Sequence, residues 1–358
     1  MSYDYLIYAY AFFCTFVLSW FGTRAVRWFA LRYKILDQPG HRKMHAEPMP
    51  LLGGVAIVGA FYIFALGHIG GLMLLTQFGD DWIEHQLLQF LGEDAQVKVA
   101  GLLAGGVLIF LLGVVDDLYA LKPWLKLVGQ IVAAAVLVMS GIRLELFVLG
   151  NFWMSAAVTM LWIVLLTNSL NFLDNMDGLC AGVCIISCLS FFLCVQADDT
   201  LVRVLLMMMV GGAGGFLYYN LAPARIFMGD AGAMFCGYLL ATIAVLGTFH
   251  VESTPSRIAV AAPVLALSVP LFDTLSVVYI RFRSGQNIML GDKRHFSHRL
   301  VDLGMSPRQA VEFIYLVAIV VGLGAAMLPL LDLGGTLIIL AQTVGVYSLI
   351  VILMNAAR

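Results

Sequence analysis

Long apolar runs separated by short polar segments recur along the whole chain. A helix of about 20 apolar residues is long enough to cross the hydrocarbon core of a bilayer. The pattern predicts about eleven membrane-spanning helices, at residues 5–23, 51–75, 97–115, 125–141, 152–170, 179–196, 201–219, 232–250, 258–280, 310–330 and 333–354. No polar segment is long enough to bury a core of its own. We therefore expect an all-α, polytopic membrane protein with a single transmembrane domain over residues 1–358.

Composition supports this expectation. Of the 358 residues, 61% are hydrophobic and only 12% are charged, whereas soluble domains carry about 25% charged residues. The net charge of −2 indicates little about partners. For a chain of this apolar composition we expect membrane lipids, and no nucleic acid, as partners.

The distribution of basic residues predicts the orientation. If the segments between spans alternate sides, sixteen of the twenty Lys and Arg residues lie on one side and four on the other. The positive-inside rule assigns the first side to the cytoplasm, with the N-terminus outside and the C-terminus inside. Every motif-like polar segment then lies on the cytoplasmic face, at residues 32–54, 113–126, 168–178, 219–232 and 281–309.

Three of these segments are rich in acids and amides. In GVVDDL, Asp116 and Asp117 end an otherwise apolar helix, and acids near the membrane plane usually face a cavity, a partner or water. GDAG places Asp230 near a predicted helix N-terminus, where backbone N–H groups also collect anions. A solvated helix end for the acid pair, and a simple N-cap for Asp230, are the structural alternatives.

The densest segment is NSLNFLDNMDG. Asn168, Asn171, Asp174 and Asp177 recur every third residue and can each offer a side-chain oxygen, the ligand type that Mg²⁺ prefers. The alternative is a polar turn between two helices with Asn and Asp as caps. Asp177 and Gly178 form a good turn pair under either interpretation.

The other two segments are basic. DQPGHRKMHAEPMPLLGG carries Arg42, Lys43 and His45, which indicate either a clamp for a phosphorylated substrate or an ordinary basic loop beside lipid headgroups. The stretch from Arg281 to Arg308 carries Arg294, His295 and His298, and phosphate contacts are favoured there over a zinc site. Acids for a divalent cation and bases for phosphates on one membrane face indicate Mg²⁺-dependent phosphoryl chemistry at the lipid–water boundary.

The five segments, in this order, resemble the polyprenyl-phosphate N-acetylhexosamine-1-phosphate transferase superfamily. DQPGHRKMHAEPMPLLGG, GVVDDL, NSLNFLDNMDGL and NLAPARIFMGDAG are similar to four of its elements, over about residues 37–300. The resemblance implies transfer of a sugar-1-phosphate from a cytoplasmic UDP-amino sugar to undecaprenyl phosphate in a bacterial inner membrane, with release of UMP. It implies Mg²⁺ as cofactor, with Mn²⁺ as a substitute, and is compatible with a homodimer.

The resemblance also implies roles for individual residues. Asn171 and Asp230 would bind Mg²⁺, and Asp116 or Asp117 would deprotonate or orient the attacking lipid phosphate. Asp174 and Asp177 would shape the nucleotide and metal surroundings. Substrate phosphates would be met by the basic residues Arg42, Lys43, His45, Arg294, His295 and His298.

One position departs from the family pattern. The last loop of the family often reads H-x-H-H, whereas this chain has Ser297 at the third position, which removes one ionisable donor beside His298. We favour the branch that uses UDP-N-acetylglucosamine. The alternatives are the phospho-N-acetylmuramoyl-pentapeptide transferase of peptidoglycan synthesis and, in another class, a secondary transporter or lipid-phosphate flippase. Asp273, inside a predicted span, would pair with Arg281 or Arg283 or support the site.

Overall fold

A computed structural model describes residues 2–38, 47–76, 93–144, 151–196, 199–247, 261–286 and 294–356. The long helices are α1 Ser2–Tyr33, α2 Gly53–Thr76, α3 Glu93–Tyr119, α4 Pro123–Met139, α5 Phe152–Leu173, α6 Leu179–Cys194, α7 Thr200–Asn220, α8 Gly229–Leu246, α10 Ser268–Arg283, α12 Pro307–Met327 and α13 Leu333–Ala356. Shorter elements are α9 Ala262–Ala266, α11 Phe296–Asp302, a 3₁₀ turn Leu328–Leu330 and the paired strands β1 Leu36–Asp37 and β2 Met49–Pro50. The prediction of an all-α, polytopic membrane protein is confirmed.

Apolar length supports membrane insertion. Within the described residues, eight helices are long and apolar enough to span a bilayer, and α4 and α6 are shorter apolar helices. Ten of the eleven predicted spans coincide with these ten helices. The sidedness of the predicted loops stays a prediction.

The predicted span at 258–280 is wrong as a single helix, because it is broken at Leu267 into α9 and α10. Pro270 follows the break and has no N–H with which to reach the carbonyl four residues earlier. That carbonyl, of Ala266, instead accepts a hydrogen bond from the Ser187 hydroxyl of α6 at 2.9 Å. The sequence signal for the break was therefore the proline.

Helix α8 lies at the centre of the bundle. In its apolar stretch 78% of residues are buried, against 11% for α13, and it packs against α2, α3, α5, α6 and α7.

The backbones of α2 and α8 are in direct contact at the N-terminal ends of the two helices. Gly53 N–H donates to the carbonyl of Phe227 at 2.9 Å and Gly54 N–H to that of Met228 at 2.8 Å. A Cβ added at Gly54 would collide with the backbone of Gly232. This contact fixes the start of α8, where the polar segments converge.

Candidate active site

A pocket of about 820 Å³ opens where α3 and α5 end and α8 begins. Its lining brings together the acidic, amide and histidine residues singled out in four separate segments of the sequence. These are Asp116, Asp117, Asn171, Asp174, Asp177, Asp230, His295 and His298. Residues that are far apart in the sequence therefore line one pocket, and their functional roles stay predictions.

The adjacent acids at the end of α3 have different partners. Asp117 accepts backbone N–H groups from Asp230 at 2.7 Å and Ala231 at 3.2 Å. It thus satisfies donors at the N-terminus of α8, which no residue of that helix caps with a side chain. Asp116 accepts the N–H of Leu121 at 2.7 Å through Oδ1. Its Oδ2 lies 2.5 Å from Nζ of Lys126. The alternative that Asp116 and Asp117 simply form a solvated helix end is therefore wrong, because both carboxylates have partners within the protein.

Asp230 is not an N-cap. It is the second residue of α8, after Met228 and Gly229, and its carboxylate pairs with Lys126. Lys126 therefore bridges Asp116 of α3 and Asp230 of α8. We call Asp116, Asp117, Asp174 and Asp230, with Lys126, the acidic wall of the pocket.

Gly229 is required by this arrangement. Its φ of +75° lies in the left-handed region that side chains disfavour. A Cβ there would also meet the Asp117 carboxylate at 2.6 Å. The glycine lets the chain turn into α8 while Asp117 approaches its first N–H groups.

The acids of NSLNFLDNMDG hold the loop that leads into α8. Asp177 accepts the N–H of Ala224 at 2.9 Å, and Asp174 accepts that of Gly229 at 3.1 Å. Gly178 has a φ of +77° just before α6, so the predicted Asp177–Gly178 turn is confirmed. The segment is thus a turn between helices and also part of the pocket lining.

Asp174 follows the last residue of α5 and lies beyond that span. Burial raises the pKa of its carboxyl to about 8, and the neighbouring charges of Asp230 and Asp117 act in the same direction. A cation in the pocket would favour the charged form instead. The acidic wall therefore holds more potential negative charge than the one lysine within it balances.

The two asparagines of this segment differ. Asn168 exchanges hydrogen bonds with Gln130 of α4 at 2.6 and 3.2 Å, so its amide joins two helices. Asn171 lines the pocket, and its amide nitrogen is buried without a hydrogen-bond partner. The oxygen and nitrogen of an amide can exchange places by a simple flip. Asn171, unlike Asn168, therefore turns its amide group toward the pocket, beside the Asp230 carboxylate.

No group of three or more His, Cys, Asp or Glu side chains in the described part of the chain is arranged to hold a metal ion as it stands. Lys126 lies between two of the carboxylates. The donor chemistry nevertheless fits Mg²⁺, because hard carboxylate and amide oxygens are its usual protein ligands. Asp230, with its partly exposed carboxylate, and Asn171, whose amide lies beside it in the pocket lining, are the residues best placed to hold it.

A second group of residues comes from α10 and the start of α11. It consists of His295 and His298, which line the pocket, with Asp273 and Ser297 behind them, and we call it the histidine wall. His295 and His298 both line the pocket, with ring centroids 6.4 Å apart. Asp273 is fully buried behind them, and its Oδ2 lies 2.8 Å from Nδ1 of His295. Of the alternatives predicted for Asp273, support of the site is thus the one its hydrogen bonds favour.

Ser297 is buried and donates to Oδ1 of Asn175 at 2.7 Å. The serine that departs from the family pattern therefore ties α11 to the α5–α6 turn. Arg294 does not line the pocket and donates to the Ser284 hydroxyl at 3.3 Å. Arg42, Lys43 and His45 lie outside the described residues, and their phosphate contacts stay predictions.

Sequence reasoning missed three lining residues. Lys126 was counted only for orientation, although it follows the acid pair within one short segment. Asn220 accepts the N–H of Gly178 at 3.0 Å and donates to the carbonyl of Ile226 at 2.9 Å. Its position at the start of the NLAPARIFMGDAG element could have identified it from the sequence. Arg308 also lines the pocket and pairs with Glu312 at 2.8 Å.

Comparison with known proteins places the chain in a family. Residues 99–248 match the model of glycosyl transferase family 4. The probable undecaprenyl-phosphate N-acetylglucosaminyl 1-phosphate transferase of Bacillus subtilis is 31% identical over 316 residues, covering 86% of this chain and 80% of the relative. The chain belongs to this family of polyprenyl-phosphate sugar-1-phosphate transferases.

Two further relatives of this transferase widen the comparison. The decaprenyl-phosphate N-acetylglucosaminephosphotransferase of Mycolicibacterium smegmatis is 30% identical over 370 residues, 96% of this chain and 87% of the relative. The undecaprenyl-phosphate alpha-N-acetylglucosaminyl 1-phosphate transferase of Salmonella typhi is 26% identical over 315 residues, 82% and 77% of the two chains. The region that matches the family model contains the whole acidic wall of the transferase but ends before the histidine wall.

Proposed function

We propose that this transferase moves N-acetylglucosamine-1-phosphate from UDP-N-acetylglucosamine to undecaprenyl phosphate. The products are undecaprenyl-diphospho-N-acetylglucosamine and UMP, and the reaction begins a cell-envelope polysaccharide. One observation carries the proposal. The carboxylates of Asp116 and Asp230, from two helix ends, both contact the ammonium group of Lys126 in a pocket that is also lined by Asn171 and His295. The names of the relatives, which act on undecaprenyl or decaprenyl phosphate with N-acetylglucosamine, support the choice of substrates.

The bond changes are those of a phosphoryl transfer. An oxygen of the lipid phosphate attacks the phosphorus that carries the sugar, a new P–O–P bond forms, and the bond to UMP breaks. A phosphate monoester is already an anionic nucleophile, so no covalent enzyme intermediate is needed. Positioning and charge compensation then account for most of the catalysis.

The residues of the acidic wall have distinct tasks in this proposal. Asn171 and Asp230 would hold Mg²⁺, which would neutralise charge on the donor diphosphate. Asp116, with only one oxygen committed to the backbone, orients the lipid phosphate or accepts its proton. Lys126, released from one carboxylate, contacts phosphate oxygens. Asp117, Asp174 and Asp177 act through the backbone N–H groups of residues 224–231 that they hold.

The reaction is placed at a membrane surface. The pocket is built from helix ends and not from mid-helix positions, which suits a lipid phosphate meeting a water-soluble donor and differs from transporter sites near the bilayer midplane. The excess of basic residues on the predicted inner side supports a cytoplasmic pocket in the bacterial inner membrane.

Release of labelled UMP tests the proposal. Purified protein with undecaprenyl phosphate and Mg²⁺ should release UMP from UDP-N-acetylglucosamine, and chelation should stop the release until Mg²⁺ or Mn²⁺ is restored. UDP-N-acetylmuramoyl-pentapeptide, offered in parallel, should give at least tenfold less product. Turnover of the pentapeptide donor alone would assign the chain to the peptidoglycan branch. Turnover of neither donor by folded protein would refute the proposal.

A further inference from the structure

The carboxylate of Asp273 is engaged entirely by the residues that begin α11. It is 0% exposed in the middle of α10, and burying a charge is costly unless hydrogen-bonded partners compensate. Its Oδ1 accepts the N–H of Phe296 at 2.5 Å, and its Oδ2 meets Nδ1 of His295 at 2.8 Å. Both oxygens therefore face the histidine that lines the pocket and the residue after it.

This contact determines which nitrogen of His295 serves the pocket. Because Asp273 takes Nδ1, the remaining ring nitrogen is Nε2, and the ring lines the pocket. The ring also lies against Phe172, with centroids 5.6 Å apart. A ring held on one nitrogen by a carboxylate has a fixed tautomer and a fixed direction.

A second set of contacts holds the same short helix. Ser297 donates to Asn175 at 2.7 Å, and Asn175 donates to the carbonyl of Phe172 at 2.5 Å. Arg299 donates to Ser276 of α10 at 2.5 Å. Helix α11 would thus stay attached to α10 through Arg299 even without Asp273. Burying a carboxylate costs desolvation free energy, which a role limited to holding α11 in place would not require.

We propose that Asp273 is a positioning residue of the transfer reaction: it fixes His295 with Nδ1–H toward the buried carboxylate and Nε2 toward the substrate phosphates. When the ring is protonated, Nε2–H donates to a phosphate oxygen and the carboxylate compensates the charge of the ring. The assignment of the phosphate rests on the proposed function, whereas the tautomer does not.

Asp273→Asn is the informative substitution. The amide oxygen still accepts the Phe296 N–H, while the amide nitrogen now donates to Nδ1 of His295. The proton of the neutral ring therefore moves to Nε2, and the compensating charge is lost, while the size of the side chain is kept. We expect kcat/KM to fall by about 10- to 100-fold, the range typical for an outer hydrogen-bond partner of a functional histidine.

A double-mutant cycle separates positioning from mere structure. If Asp273 acts through His295, Asp273→Asn should cause no further loss in protein that already carries His295→Ala, whereas independent structural effects would add. Ser276→Ala is the matched control, because it removes the hydrogen bond between Ser276 of α10 and Arg299 of α11 without touching His295. It should leave kcat/KM within about twofold. Additive losses, or a Ser276→Ala loss as large as that of Asp273→Asn, would overturn the proposal.

The tautomer is measured without turnover. ¹⁵N spectra of histidine-labelled protein, with His295→Gln to assign the signal, should show a protonated Nδ1 in the wild type and a protonated Nε2 in the neutral ring of Asp273→Asn. A wild-type His295 with unprotonated Nδ1 would refute the positioning role even if Asp273→Asn fails to fold. Absence of UMP release from the wild type with the expected tautomer would instead refute the proposed function alone.

Discussion

The two walls of the pocket use carboxylates in opposite ways. In the acidic wall, Asp116 and Asp230 line the pocket themselves and share one lysine. In the histidine wall, Asp273 is sealed from solvent, and the imidazole of His295 lies between this carboxylate and the pocket. Negative charge is therefore presented directly on one side and placed behind a histidine on the other. A pocket built this way can meet a cation on one side and phosphate oxygens on the other.

The comparison also separates acids within the acidic wall. Asp117 and Asp174 hold backbone N–H groups at the start of α8, whereas Asp116 and Asp230 have a side-chain partner in Lys126. We therefore expect substitution of Asp116 or Asp230 to lower activity without lowering stability. Substitution of Asp117 or Asp174 should lower both.

The largest effect should come from Asp230→Asn. This change removes a charge that the proposed function assigns to the metal, so kcat should fall by about 10³-fold, comparable to loss of one preorganised electrostatic group. UMP release measures the effect, and size-exclusion chromatography with thermal unfolding checks the fold. Asp332→Asn is the control, because Asp332 also lies at a helix N-terminus but outside the pocket. Activity within tenfold of wild type would remove Asp230 from the centre of the acidic wall.

A smaller and different effect should separate Asp117→Asn from Asp116→Asn. The two oxygens of Asp117 each accept one backbone N–H group, whereas an amide at this position has only one acceptor oxygen. One buried N–H group is then left without an acceptor, which costs about 1–3 kcal/mol. Thermal unfolding in detergent should therefore show a lower midpoint for Asp117→Asn. Asp116→Asn keeps the oxygen that accepts from Leu121 and relieves repulsion with Asp230, so its midpoint should stay near that of the wild type while kcat falls. Equal midpoints in the two variants would contradict the division of roles.

The smallest effect should come from Ser297→Ala in the histidine wall. Loss of the hydrogen bond to Asn175 should cost about 1 kcal/mol and loosen α11, which raises the KM for the UDP donor a few-fold with little change in kcat. Initial rates over a range of donor concentrations measure this split. Ser284→Ala, beyond the pocket lining, is the comparison variant. A kcat loss as large as that of Asp116→Asn would mean that Ser297 touches the reacting groups.

The sequence located the helices and the acids but not how the helices face one another. Apolar length marks a span, and Asp177–Gly178 marks a turn, because both signals are local. The contact of Asp117 with the start of α8 depends on the rotation of α3 against α8, and the partner of Asp273 depends on its depth in α10. Neither is encoded in periodicity. Lys126 was hidden for a related reason: a lysine near a span end satisfies the positive-inside pattern whether or not it enters a pocket.

The touching glycine backbones of α2 and α8 have a mechanical consequence. With two interhelix hydrogen bonds and no side chain between Gly54 and Gly232, no side chain can rearrange between the two helix ends, so a shift of one would displace the other. The acidic wall, built on the start of α8, is thus the rigid part of the site. We therefore expect any widening or closing of the pocket around a substrate at the histidine wall, where α11 is only seven residues long and side-chain hydrogen bonds hold it to α10 and to the α5–α6 turn.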